Sequence, residues 1–189
     1  MTAKIKINIS DLTPQFIEGI KERYASRKVE IQVSPETDEK RLDEATFWDI
    51  IHQLNWSKKD NDEAILSPAV SKLADYPLRT IFQFQDLLSK KLYLLDQKKY
   101  AKHIGEDAWQ ESKYFSVDQF LYARCCVVAN GKEAFEIVLA NPSMMPKNLT
   151  FEPLLHLAAD AYKMKVGKRF NYVHMYNYET YSNQEGWSS

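Results

Sequence analysis

The chain is poor in the residues that build several common kinds of functional site. Its 189 residues include only five glycines and two cysteines, and no apolar run approaches the roughly 18 residues of a membrane-spanning helix. Five glycines hardly suffice for a glycine-rich phosphate-binding loop, and neither a G-x-S-x-G nor an H-E-x-x-H motif is present. These absences remove the usual signatures of nucleotide-binding proteins, serine hydrolases and zinc proteases.

The charge of the chain is nearly balanced. Its 25 basic and 26 acidic side chains give a net charge of -1, whereas general binders of nucleic acid or membrane surfaces are normally strongly positive. The balance argues against both classes, and we expect no membrane partner. Hydrophobic residues make up 44% of the chain, which suffices for the core of one domain with a small appendage.

The two cysteines, Cys125 and Cys126, are neighbours in the sequence. Adjacent side chains on a helix point about 100° apart, so these two cannot form an ordinary disulfide with each other. They are typical of small core residues in a reducing compartment. The N-terminus has no basic-then-apolar signal pattern, and we therefore expect a cytoplasmic protein.

The first 41 residues predict a small N-terminal β-α-β appendage. Residues 4–9 and 29–33 alternate between polar and apolar side chains, as half-buried strands do. Between them, Thr13-Pro14 is a typical helix start, and apolar residues follow at helical spacing. The charged, proline-containing stretch 34–41 predicts a linker, so we place the main domain at residues 42–189.

The main domain is predicted to be mainly α, a multi-helix globular bundle. Apolar residues recur at helical spacing, and capping residues mark the helix ends. The expected helices run from near Asp43 to about Trp56, from Ser67-Pro68 over a short stretch, from Pro77 to about Asp96 with a basic continuation to His103, from Ser116 to Asn130-Gly131, from Lys132 to Ala140, and from Phe151 to Val166. The tail from Phe170 to Trp187 is rich in aromatic residues and lacks periodicity, which predicts an irregular segment packed on the helices.

Three strings in the main domain occur in a characteristic order. They are FSVDQFLYARCCVVANG at 115–131, FEPLL at 151–155 and YETYSNQEGW at 178–187. Together with Phe47-Trp48 they make the chain resemble the bacterial family known as domain of unknown function 4240, over roughly residues 43–187. The resemblance implies no established activity and carries over no functional residues. Relatives that combine the domain with a WGR module imply a regulatory or nucleic-acid-related setting.

Arg124 is the most informative single residue. It lies in the middle of an apolar stripe on the helix that begins at Ser116, and burying an unpaired guanidinium is very costly. A carboxylate or several carbonyl groups should therefore meet it, and Glu152 and Glu179 are the candidate carboxylates. An internal ion pair is the favoured interpretation, and an arginine that grips a phosphate or carboxylate ligand in a cleft is the alternative.

Glu152, His156 and Asp160 are spaced four residues apart on the polar face of the last predicted helix. A histidine between two carboxylates is a candidate acid–base residue. A solvated ladder of salt bridges that includes Lys163 explains the same spacing, and we favour it. One histidine without a second is a weak metal signal, so we expect neither a metal ion nor a cofactor.

Two basic stretches raise the alternative of nucleic-acid binding. The first contains Lys90, Lys91, Lys98, Lys99 and Lys102. The second, residues 163–169, leads into the aromatic tail, and basic residues interleaved with aromatics can bind single-stranded nucleic acid. A solvated helix face followed by packed aromatics is the favoured interpretation. Residues 43–75 are acidic instead, and opposite local charges suit association with another protein.

Three functional interpretations remain. The favoured one is a non-enzymatic protein-binding or regulatory module, with an immunity or antitoxin-like protein as one form, because no catalytic constellation is present and the tail offers aromatic anchors. The second is an enzyme that handles a small molecule or phosphate with Arg124, Glu152, His156 and Glu179. The third is a nucleic-acid-associated accessory protein. The candidate ligand-binding residues are Arg124, Glu152, His156, Tyr178, Glu179 and Asn183.

Overall fold

The computed structural model describes residues 3–7, 14–25, 29–33, 42–58 and 61–188. The chain divides into two compact units, Met1–Arg41 and Leu42–Ser189.

The N-terminal unit has the order strand, helix, strand. Strands β1 (Ala3–Ile7) and β2 (Val29–Val33) pair in parallel, with Ile5 opposite Ile31, and helix α1 (Pro14–Tyr24) connects them. Two parallel strands need such a crossover, because the second strand must start at the same end of the sheet as the first. The predicted linker at 34–41 and the last two residues of the predicted first strand lie outside the described residues.

The second unit is mainly α-helical, as predicted. Its helices are α2 (Glu44–Ile51), α3 (Asp62–Asp75), α4 (Leu78–Leu94), α5 (Lys98–Ala101), α6 (Val117–Ala129), α7 (Lys132–Ala140), α8 (Leu157–Val166) and α9 (Gln184–Ser188). Three 3-10 turns lie between them, at Trp56–Lys58, Pro142–Met144 and Glu152–His156. None of the helices in the described ranges is both long enough and apolar enough to cross a membrane.

Side-chain caps start three of these helices. The side chain of Asp43 accepts the N–H of Thr46 at α2, Asn61 serves α3 in the same way, and Ser116 serves α6. Each cap satisfies an N–H that has no partner within the helix. The predicted end of α6 at Asn130-Gly131 is confirmed, and Gly131 has a φ of 93°, a conformation that favours glycine.

The predicted start of the second helix at Ser67-Pro68 is wrong. Helix α3 begins at Asp62, and Pro68 lies inside it. An internal proline removes one backbone hydrogen bond and is normally unfavourable. Here the helix buries one apolar face and carries a cap at its start, which offset that cost. The residues on the buried face include Ile65, Leu66, Ala69, Val70 and Leu73.

Two further helix boundaries also differ from the predictions. Helix α2 ends at Ile51, and Trp56 belongs to a separate 3-10 turn, because the backbone N–H of Asn55 instead bonds to the carbonyl of Ile65 at 2.9 Å. The last predicted helix starts as the 3-10 turn Glu152–His156 and becomes an α-helix only at Leu157.

Helix α4 lies at the centre of the helical unit, in contact with α2, α3, α6 and α8. Its Phe84, Leu88 and Leu92 are fully buried, and so are Phe47 of α2 and Phe120 of α6. Such burial of several large apolar side chains is the main stabilising contribution to a domain of this size. The central position agrees with the wide distribution of apolar residues around α4 in the sequence.

Candidate functional site

Arg124 is fully buried in α6, as predicted. Its Nη1 donates hydrogen bonds to the carbonyl oxygens of Leu92 at 3.0 Å and Tyr178 at 2.9 Å. Its Nη2 donates to Oγ1 of Thr180 at 2.9 Å. The guanidinium also lies over the ring of Phe120, with 4.7 Å between Cζ and the ring centroid. Arg124 is therefore held inside the protein on several sides at once.

The carboxylate beside Arg124 is Asp96, so the predicted partners Glu152 and Glu179 are wrong. Asp96 follows the end of α4, is fully buried, and places Oδ1 4.0 Å from Nη2 of Arg124. Glu152 and Glu179 are both exposed. Burial lowers the pKa of Arg124 to about 10, and the charge of Asp96 opposes that fall. An aspartate at a helix end is usually solvated, which is why the sequence pattern does not point to Asp96.

Asp96 and Arg124 together fasten residues 178–187, which we call the strap. Asp96 accepts hydrogen bonds from the backbone N–H groups of Tyr181 at 3.2 Å and Asn183 at 2.9 Å, and from the indole Nε1–H of Trp187 at 2.9 Å. Arg124 adds two hydrogen bonds to the strap, so five hydrogen bonds join the strap to Asp96 and Arg124. We call Asp96 and Arg124 the clamp.

The strap is packed onto the helices more fully than the sequence predicts. Asn183 is buried, and its Nδ2 donates to the carbonyl of Tyr93 at 3.2 Å. The ring of Trp187 lies 5.8 Å from that of Phe120 in an edge-on contact. Residues 170–183 of the tail form no helix or strand, as predicted, and only Gln184–Ser188 form a short helix, α9. Asn183 is buried, and neither Asn183 nor Glu179 lines the groove described next.

An open groove with a volume of about 1170 Å³ lies on the helical unit, and we call it the groove. Its walls come from α3, from the start of α6, and from the 3-10 turn Glu152–His156 with α8. The apolar part of its lining includes Leu66, Val70, Phe151 and Met164. Four carboxylates and one lysine also line it, namely Asp62, Glu63, Glu152, Asp160 and Lys163. The groove is therefore apolar and acidic.

The two long walls of the groove are α3 and α8, which pack against each other. Near their C-terminal ends, Nζ of Lys165 donates to the carbonyl of Ala74 at 2.9 Å. Because these ends lie together, Asp62 on one helix and Glu152 ahead of the other lie toward the opposite end of the groove. Asp62 and Glu152 are thus separated from Lys163 along the groove, whereas Asp160 lies one helical turn before Lys163 on α8.

Tyr122 of α6 stands beside Glu152 in the groove. The backbone N–H of Phe151 donates to the carbonyl of Tyr122 at 3.0 Å, which fixes the segment before Glu152 against α6. Partial burial raises the pKa of the Tyr122 phenol, and a hydrogen bond to the Glu152 carboxylate raises it further. An anionic acceptor favours the protonated phenol. Tyr122 and Glu152 therefore form one polar unit.

The predicted ladder of salt bridges on the last helix is not formed. Glu152, His156, Asp160 and Lys163 all line the groove, but among the described residues no ion pair joins any two of them. Within the same ranges, no group of three or more His, Cys, Asp and Glu side chains is arranged to hold a metal ion.

The predicted site residues separate into two places. Arg124, Tyr178 and Asn183 belong to the clamp and the strap, whereas Glu152 and His156 line the groove. Glu179 is exposed on the strap. The four residues of the enzyme interpretation therefore do not meet in one cavity.

Several lysines of the first basic stretch are engaged with other side chains. Lys91 is buried, pairs with Glu44, and places Nζ 4.9 Å from the centroid of the Phe135 ring. Lys98 and Lys102 lie over the ring of Trp109, at 5.0 and 5.7 Å. Because these charges already have internal partners, the stretch offers less to a nucleic acid than its sequence suggests.

The fold and the groove define the chain as a mainly α-helical protein with an open acidic groove. The family model described as protein of unknown function (DUF4240) matches residues 42–164. The match covers more than half of the chain, which therefore belongs to this family, and the resemblance seen in the sequence is confirmed. Comparison with curated proteins and with solved structures gave no match. The matched range contains the clamp and the groove and ends before the strap.

Proposed function

We propose that this protein is a non-enzymatic binding module that docks a positively charged segment of a partner protein in the groove. The observation that carries the proposal is the combination, in one cavity, of an apolar lining with four carboxylates and a single lysine. The apolar part offers hydrophobic contact, and the carboxylates favour partners that carry Lys or Arg beside apolar residues.

The size and openness of the groove support a peptide segment over a small molecule. Pockets for small ligands usually measure roughly 300–1,000 Å³ and enclose most of the ligand. The groove has about 1170 Å³ and lies open along α3 and α8. Met164 at its edge is 58% exposed, and a flexible methionine adapts to varied partner side chains. An amphipathic helix laid between two helices is a common way to fill such a groove.

The proposed module acts in the cytoplasm. Cys125 and Cys126 are buried and free, which suits the reducing cytoplasm of a bacterial cell. In a regulatory role, including an immunity or antitoxin-like one, the protein would act by covering a basic surface of its partner.

Charge reversal in the groove tests the proposal. We expect the double variant Glu152→Lys, Asp160→Lys to weaken binding of a fluorescent amphipathic peptide of alternating leucine and basic residues by more than tenfold, because each lost charge pair contributes about 1 kcal/mol. Fluorescence anisotropy at low salt measures the affinity. Glu133→Lys on α7 is the matched control, since Glu133 is exposed outside the groove.

Partner capture from cell lysate gives a second readout of the same variants. A specific partner should be retained by the native chain and by Glu133→Lys, lost with the groove variant, and released by the basic peptide. Equal binding of the peptide by all three proteins would contradict the proposal.

A further inference from the structure

We propose that this protein forms a two-fold symmetric dimer through an exposed apolar patch at the start of α6, so that the partner of this surface is a second copy of the chain. The patch consists of Tyr114, Val117 and Tyr181, and we call it the aromatic patch. None of these residues lines the groove. The inference therefore goes beyond the proposed function and does not depend on it.

The three side chains of the aromatic patch are more exposed than apolar side chains of a folded core. Tyr114 is 94% exposed, Val117 41% and Tyr181 45%. Single exposed apolar residues are common, but a contiguous group of them is typical of a surface that contacts another protein. Tyrosine is enriched at such surfaces, because its ring adds apolar area and its hydroxyl can keep a polar partner.

The fold brings the three residues of the aromatic patch together. The strap crosses the start of α6, where Oγ1 of Thr180 donates to the carbonyl of Val117 at 2.8 Å. Tyr181 follows Thr180, and its ring lies 6.4 Å from the buried ring of Phe115. Tyr114 directly precedes Phe115 in the sequence. The patch is therefore one continuous surface made by the strap and by the segment that leads into α6.

The strap part of the aromatic patch is held rigidly. The backbone N–H of Tyr181 donates to the buried Asp96 at 3.2 Å, and the ring of Tyr181 lies 4.4 Å from that of Trp187. Tyr181 also has a φ of 76°, a left-handed conformation that is uncommon for residues other than glycine. Such a conformation persists where the surroundings enforce it, and it is frequent at functional surfaces. A side chain that is already fixed loses little conformational entropy when it binds.

Opposite charges at the two ends of the aromatic patch favour a second copy as the partner. Lys113 precedes Tyr114, Asp118 follows Val117, and both charged side chains are exposed. Within the described ranges, neither of them forms an ion pair. A two-fold axis through the patch places the same surface of both copies face to face in opposite directions, so that each Lys113 meets Asp118 of the other copy. The patch is thus complementary to itself in charge.

The size of the aromatic patch sets the expected strength of the dimer. An interface centred on three side chains lies at the low end of the range for specific protein–protein contacts. We therefore expect a reversible dimer with a dissociation constant on the order of 10 μM.

Sedimentation equilibrium of the full chain, at concentrations from well below to well above that constant, tests the dimer. The mean mass should rise from that of one chain toward that of two. Tyr114→Ser should weaken the dimer about tenfold or more, because it removes the most exposed ring of the patch. Val173→Ser is the matched control, since Val173 is an exposed apolar residue outside the patch, and it should dimerise like the native chain. Both replaced side chains are exposed, so both variants should keep the native melting temperature.

Reversing the two end charges on separate chains tests the two-fold arrangement. Lys113→Glu makes both ends of the patch acidic, and Asp118→Lys makes both ends basic. Each variant alone should dimerise about tenfold more weakly than the native chain at low salt, because each dimer then contains two contacts between like charges. In a mixture of the two variants every acidic end meets a basic end, so a heterodimer of near-native affinity should form. Native mass spectrometry separates the heterodimer from both homodimers by mass.

Each contrary outcome overturns the inference in a different way. A mass of one chain at every concentration would show that no dimer forms. A dimer that survives Tyr114→Ser unchanged would show that another surface is used. A mixture of Lys113→Glu and Asp118→Lys that associates no better than the separate variants would exclude the two-fold arrangement. Lys90→Glu, which reverses an exposed charge on α4, should leave the dimer intact and controls for general charge effects.

Discussion

Replacing Arg124 by methionine would test whether the clamp holds the helical unit together. Methionine has a similar length and fills much of the same space, so the change removes mainly the guanidinium. It eliminates the hydrogen bonds to Leu92, Tyr178 and Thr180 and leaves Asp96 buried without its cation. The apolar contact with the core is largely retained.

The expected loss follows from these contacts. Removing one partner of a buried ion pair typically costs about 3–5 kcal/mol, because the other charge stays buried and uncompensated. Asp96 still accepts three hydrogen bonds from the strap, which reduces the cost. The depressed pKa of Arg124, about 10, shows that burying the guanidinium itself opposes folding, and the variant no longer carries that penalty. We therefore expect a loss of about 3 kcal/mol, out of a total of roughly 5–15 kcal/mol for a domain.

Urea denaturation followed by far-UV circular dichroism measures this loss. Lys90→Met is the control, because Lys90 is an exposed cation on α4, and it should change the free energy of unfolding by less than about 0.5 kcal/mol. Asp96→Asn and the double variant complete a mutant cycle, in which we expect a coupling of about 1–3 kcal/mol. A loss below about 1 kcal/mol for Arg124→Met would refute the structural role assigned to the clamp.

Three further predictions concern other parts of the chain. Deleting residues 1–41 should leave a helical unit that melts cooperatively, because that unit has its own core, and a gradual melt of the truncated chain would count against this. Tyr172→Phe should remove stability that depends on pH: burial and the hydrogen bond to Asp86 raise the pKa of Tyr172 to about 12. A phenol whose pKa is raised in the folded state contributes stability that is full below its ordinary pKa near 10 and disappears as the pH rises through 12. The difference in unfolding free energy between the native chain and Tyr172→Phe should therefore shrink over that interval. A difference that does not depend on pH would contradict this prediction. Burial raises the pKa of Cys125 to about 12, so iodoacetamide at pH 8 should leave Cys125 unmodified in the native protein and alkylate it in urea. Peptide mass spectrometry measures both reactions. Rapid labelling of the native protein would contradict the prediction, because it would show that Cys125 becomes accessible to solvent.

Local signals explain which parts of the fold could be predicted. Ser116 and Asn130-Gly131 mark α6 correctly because a cap and a left-handed glycine act within a few residues of the chain. Pro68 misled the prediction for the same reason: Ser67-Pro68 resembles a helix start locally, whereas the cap at Asn61 and the buried face of α3 place Pro68 inside the helix.

The clamp and the groove depend on contacts between distant residues. Burial of Arg124 could be predicted from its place in an apolar stripe, but its partner Asp96 could not, since the strap that covers Asp96 lies more than 80 residues further along the chain. The groove forms where α3, α6 and α8 pack together, and the spacing of apolar residues within one helix does not predict which other helices it contacts. Nothing in the sequence around Tyr122, on α6, indicates that Glu152 raises the pKa of its phenol.

The strap follows both clamp residues in the sequence, which has a consequence for synthesis on the ribosome. Domains generally begin to fold while the chain is still being made, from the N-terminus onward. In this protein, Asp96 and Arg124 find most of their hydrogen-bond partners among residues 178–187, which are translated after both of them. A nascent chain that already contains every long helix therefore still holds two charges that it cannot bury at low cost. The helical unit can complete its fold only after the strap has left the exit tunnel, and a stop codon within the strap would leave a product that quality-control proteases can degrade.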